Sequence, residues 1–137
     1  MLKIVLWLSV GLLGASSIFL DAWFSHGLAQ QVSNGLMSEA QLASLKTAVD
    51  YQQFNSVMMV LSLILAGTSQ RLLQLLPCLC FLLGTLAFSG GIYGKHLLEL
   101  STGAVTPVGG MIMALGWILL AIQGLRRRTQ SSSNPIQ

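Results

Sequence analysis

Of the 137 residues, 53% are hydrophobic and only 8% are charged, and the mean hydropathy is +0.72. A soluble domain carries about 25% charged residues. So few charges cannot cover a water-facing surface of this size, which sets a soluble monomer aside and points to a bilayer protein. The net charge of +3 builds no nucleic-acid face: Arg126, Arg127 and Arg128 form the one basic cluster, directly after an apolar run, where arginines meet anionic lipid.

The first apolar run, Ile4 to Phe24, has the length a helix needs to cross the hydrocarbon core. It is too long for the apolar part of a signal peptide and is read as a retained span. A polar connection, Ser25 to Gly35, follows. Ser38 and Gln41 have the spacing of a capping box, in which serine and glutamine each satisfy a free backbone N–H. Leu42, Leu45 and Val49 then recur at helical spacing, which predicts an amphipathic helix at the membrane surface. No breaker separates it from the apolar run after Phe54, so the interfacial helix leads into the second span.

The third span starts near Leu72, with Pro77 in its first turns, where a missing N–H costs least. It ends near Gly94. "KHLLEL" forms the next connection. Thr106 is read as the N-cap of the fourth span, accepting from the N–H of Val108 or Gly109, with Pro107 at the first helical position. The predicted fold is all-α: an integral membrane four-helix bundle, residues 1–128, with spans of about 4–24, 52–67, 72–94 and 106–124, and a polar disordered tail, 129–137.

Charge orients the spans. With both termini inside, Lys3, Arg71 and Arg126 to Arg128 are cytoplasmic, while Lys46 and Lys95 are outside, as the positive-inside rule favours. Trp23, Tyr51 and Tyr93 then fall near the outer interface.

Lipid gives no hydrophobic push between helices, so contact must come from small side chains that let backbones approach. Gly84, Ala87, Gly91 and Gly94 form one such stripe on the third span. Gly110, Ala114 and Ala121 form another on the fourth, with Trp117 and Gly124 in the same row, and one stripe is free to serve self-association. Gly11, Ala15 and Ala22 are the small residues of the first span.

Candidate chemistry is sparse. Asp21, His26, Asn55 and His96 are a candidate polar functional cluster, because an acid near a span end and two histidines on one side could meet a proton or solute. Gln52 and Gln53 add polarity near the start of the second span. No phosphate loop, nucleophile elbow or paired intramembrane carboxylates appear. Cys78 and Cys80, two apart on a helix, point to different faces and cannot chelate one metal together. No catalytic residue, metal site or cofactor is expected.

Phe88-Ser89-Gly90-Gly91-Ile92-Tyr93, Thr106-Pro107-Val108-Gly109-Gly110 and Gly116-Trp117 resemble motifs of the YgdD-like small inner-membrane proteins. Thr47 to Gln52 and His26-Gly27-Leu28 resemble two further stretches of that family. Asn55 stands where the family usually has a histidine, so a site shared by two histidines would be altered here. The resemblance implies a four-helix protein of the bacterial inner membrane and no established activity. The expected function is therefore that of a non-enzymatic accessory or packing subunit, in contact with lipid and with another membrane protein or itself. The alternative is an oligomeric transporter or channel for a small solute or protons.

Overall fold

The computed structural model describes residues 1–68 and 71–132, with side chains to residue 126. Every regular element described is helical: α1 (Leu2–Trp23), a π-turn (Phe24–Leu28), α2 (Ala29–Ser33), α3 (Glu39–Ala66), α4 (Leu72–Leu97) and α5 (Val105–Ser132). α1, the π-turn and α2 form one continuous rod. Four long helices result, of which Leu2–Ser33, Leu72–Leu97 and Val105–Arg126 are long and apolar enough to cross a membrane.

Several ends differ from the sequence reading. The first helix does not stop at Phe24; it passes through the π-turn and continues to Ser33, so most of the expected polar connection is helical. A π-turn inserts one residue into the helical ladder and shifts the faces beyond it. The shift buries both Phe24 and Leu28 against Leu45 and Val49 of α3. α4 likewise runs on to Leu97, taking Lys95 and His96 into its last turn. α5 continues to Ser132, so residues 129–132 of the expected disordered tail are helical, while 133–137 lie outside the described residues.

α3 begins as its sequence indicates. The Gln41 N–H donates to Ser38 Oγ at 3.2 Å, and the Ser38 N–H donates to Gln41 Oε1 at 2.9 Å. The start of α5 differs. The Val105 N–H bonds the Thr102 carbonyl at 2.8 Å and the Val108 N–H bonds Ala104 at 3.1 Å, so the helix begins before Thr106. Thr106 is therefore inside the first turn, not the N-cap, and Pro107 is the third helical residue. Proline is still tolerated there, because the first N–H groups of a helix have no partner to lose. Thr106 Oγ1 instead lies against Gly91, filling the place of a Cβ. Pro77 is the sixth residue of α4, past those free positions, and deprives Leu73 of its helical donor.

Neighbouring rods pack in chain order: the first on α3, α3 on α4, α4 on α5. Among the described residues, α1 and α5 bring no Cα pair within 8 Å, so the bundle is open along that seam. The tightest contact joins α4 to α5. A Cβ on Gly84 would stand 2.9 Å from the Met113 nitrogen and 3.0 Å from the Gly109 carbonyl oxygen, and one on Gly109 would stand 2.8 Å from the Gly84 carbonyl oxygen. Only glycine permits two backbones to come so close. Gly91 faces Thr106, Gly94 faces Thr102, and the Ala87 backbone abuts Gly109.

On α5 the contact row is Gly109, Met113, Gly116 and Leu120, all buried. The expected row is displaced by one position: Gly110 only grazes Phe88, while Ala114 and Ala121 are exposed. Two rows of small residues share this helix, and spacing alone does not say which meets α4. Trp117 reaches sideways to Phe54 of α3 and Phe81 of α4, each with ring centroids 5.7 Å away.

Candidate functional site: a polar layer at mid-height

The core has two apolar layers. Leu6, Met59, Leu63, Leu75, Phe81 and Leu120 belong to the one near the N-terminus of α1. Phe24, Leu28, Leu45 and Val49 form the other. Between them lies a polar layer of Ser16, Ser17, Gln52, Asn55, Ser56, Thr85 and Ser89. Gln52 is midway along α3, Thr85 midway along α4, and Ser16 and Ser17 midway along the first rod. None of these side chains is ionisable.

The inward face of α3 explains the layer. Leu45, Ala48, Val49, Gln52, Asn55, Ser56, Met59, Ser62, Leu63 and Ala66 follow one another at steps of three residues or one, which keeps them on one face, and are all buried. Four of them are polar. The outward face holds exposed Phe54, Val57, Leu61 and Ile64. From Phe54 on, α3 is thus more polar inside than outside, the reverse of a helix that faces water, whereas Glu39, Thr47, Asp50 and Gln53 of its first half are exposed.

Gln52, 3% exposed, joins three helices. Its Nε2 donates to the Leu13 carbonyl at 2.9 Å and to Ser16 Oγ at 2.8 Å, both on α1. Its Oε1 accepts from the Tyr93 hydroxyl of α4 at 2.9 Å. Ser89 donates to the Ala48 carbonyl across the α3–α4 contact at 2.7 Å, and Ser56 donates to the Gln52 carbonyl at 2.8 Å. Asn55, 1% exposed, donates from Nδ2 to the sulfur of Met113 on α5. Buried polar groups away from water must find partners in their own or a neighbouring helix, and these do. The exception is Thr85 Oγ1, which is buried without a partner.

Of the candidate cluster, Asn55 alone lies in this layer. Asp21 and His26 are exposed, the latter in the π-turn. His96 is half-buried near the end of α4 and lines a cavity with Thr47, Lys95 and Thr106. The four are not brought into one cavity among those described. Among the described residues, no three His, Cys, Asp or Glu side chains group as a metal ion would require. Thr85 is absent from the sequence reading, which names Ser89 and Tyr93 only as motif or interface residues and Gln52 only as polar. The available signal was their position: each continues a run of core residues at helical spacing.

An all-helical membrane protein with an uncharged polar layer at mid-height is the class this structure defines. The chain belongs to the family described as a protein of unknown function (DUF423), whose profile matches residues 20–110 and so takes in Gln52, Asn55, Thr85, Ser89 and Tyr93. It is 34% identical over 125 residues to a UPF0382 membrane protein of Schizosaccharomyces pombe, covering 85% of this chain and 98% of the relative. A UPF0382 membrane protein of Haemophilus influenzae is 30% identical over 122 residues, 88% of this chain and 93% of the relative. The UPF0382 inner membrane protein YgdD of Escherichia coli is 29% identical over 119 residues, 85% of this chain and 86% of the relative. No solved structure matches the chain.

Proposed function

We propose that this is a four-span protein of the bacterial inner membrane, without catalytic activity of its own, that acts as an accessory or packing subunit by associating with another membrane protein or with itself. The observation that carries the reading is the second small-residue row of α5. Ala114 and Ala121 are exposed and Gly124 meets nothing within 4 Å, while the contact with α4 uses a different row. Small residues facing lipid invite another helix to approach.

The inside-out character of the second half of α3 supports its being the fourth span, since apolar Val57, Leu61 and Ile64 suit lipid. Lys3 donates to the Gly67 carbonyl, and Arg71 and Arg126 line one cavity, so the basic ends lie together. The positive-inside rule turns that end to the cytoplasm. The inner-membrane assignment follows the name of the E. coli relative. The buried polar side chains bond mainly to backbone carbonyls of the bundle and carry no charge, which favours packing over conduction.

Native mass spectrometry of the chain released from nanodiscs tests the association. A homo-oligomer or a stoichiometric partner is expected, lost in Ala114→Trp and Ala121→Trp. A bare monomer would overturn the reading.

A further inference from the structure

We propose that the cavity between α1 and α4 binds an uncharged, membrane-soluble molecule through a hydroxyl group. α1 and α4 both pack on α3 and scarcely touch each other. A cavity of about 260 Å³ lies in the gap, with Gln52, Ser16, Thr85, Ser89 and Tyr93 among its lining. Its rim includes Leu86 and Gly90, both exposed, so it opens sideways, toward lipid. Entry is therefore open to a molecule dissolved in the bilayer.

The hydrogen-bond inventory selects the chemistry. The two Gln52 amide hydrogens are engaged by Leu13 and Ser16, Tyr93 donates to Gln52, Ser89 donates to Ala48, and Ser16 donates to the Leu13 carbonyl. Thr85, 1% exposed, is the lining residue whose hydroxyl is left without a partner. An unpaired buried hydroxyl is unfavourable and calls for an explanation. Lone pairs also remain on the Tyr93 and Ser89 oxygens. The lining thus offers one donor and several acceptors. A hydroxyl complements both at once, whereas an ether or a carbonyl can only accept. A charged group would meet no counter-charge there and would be costly at this depth. The lining includes no α5 residue, so the inference stands apart from association through that helix.

The test uses the full chain in nanodiscs with a photoreactive derivative of hexadecan-1-ol, its methyl ether and the corresponding hydrocarbon. Cross-links are mapped by mass spectrometry. The alcohol is expected to label the facing stretches of α1 and α4 and to be displaced by unlabelled hexadecan-1-ol. The ether and hydrocarbon should label at least about fivefold less, the factor expected of one neutral hydrogen bond. Thr85→Val should lower alcohol labelling by a similar factor, and Thr85→Ser should retain it. Equal labelling by all three probes, or unchanged labelling of Thr85→Val, would mean that the cavity holds only water or lipid tails and would overturn the proposal. Should Thr85→Val fail to fold, the three probes on the unaltered chain decide.

Discussion

Replacing Gln52 by leucine removes the one side chain that ties α1, α3 and α4 together. Two bonds to α1 and one from Tyr93 are lost. Hydrogen bonds between membrane helices average about 0.6 kcal/mol each, so the three together contribute about 2 kcal/mol. The Tyr93 hydroxyl is then left buried without an acceptor, which adds about 1–2 kcal/mol. Gln52→Leu should therefore destabilise the bundle by about 3–4 kcal/mol. Reversible unfolding in bicelles, followed by steric trapping, measures this. Tyr93→Phe alone should cost about 1 kcal/mol, and the double variant should show a coupling of about 1 kcal/mol, because the two residues share a bond. A loss below about 0.5 kcal/mol for Gln52→Leu would refute the reasoning, since it would mean that the network does not hold the helices together.

Three further outcomes are expected in the same assay. Gly109→Ala forces a methyl group into the α4 backbone and should cost several kcal/mol, of the order of 3, whereas Gly124→Ala, with open space around it, should be near neutral or slightly stabilising. Met113→Leu nearly conserves volume but takes away the partner of the Asn55 amide, and should cost about 1–3 kcal/mol, recovered in part by adding Asn55→Leu. Ser38→Ala opens the capping box and should cost about 1 kcal/mol, with faster amide exchange confined to the first turn of α3.

The helical class and the start of α3 were legible because they rest on local chemistry. The capping box needs only Ser38 and Gln41, and a long apolar run declares its own length. The stripe on α4 was legible for a similar reason: Gly84, Gly91 and their neighbours are the one small-residue row on that helix. α5 carries two such rows, and choosing Gly109 and Gly116 over Ala114 and Ala121 requires knowing where α4 lies. The π-turn at Phe24–Leu28 breaks the 3.6-residue period, and polar residues follow it, so the apolar run of the first span is shorter than the helix that contains it. Thr106 looked like a cap by residue type, but the turn at Thr102–Val105 starts the helix upstream of it. The polar layer was hidden because its members lie far apart in sequence and are uncharged. Asp21, His26 and His96 are conspicuous by residue type, yet the structure leaves them outside the layer.

The central claim is that α3 crosses the membrane. Asn34→Cys and Ser101→Cys, placed at exposed positions after the first rod and after α4, test it most directly in a background with Cys78 and Cys80 replaced. An impermeant maleimide is applied to right-side-out and inverted vesicles. If α3 is a span, both thiols react from the same, periplasmic side. If α3 stays on one side, only α4 separates the two positions, and labelling of Asn34→Cys and Ser101→Cys from opposite sides would contradict the account.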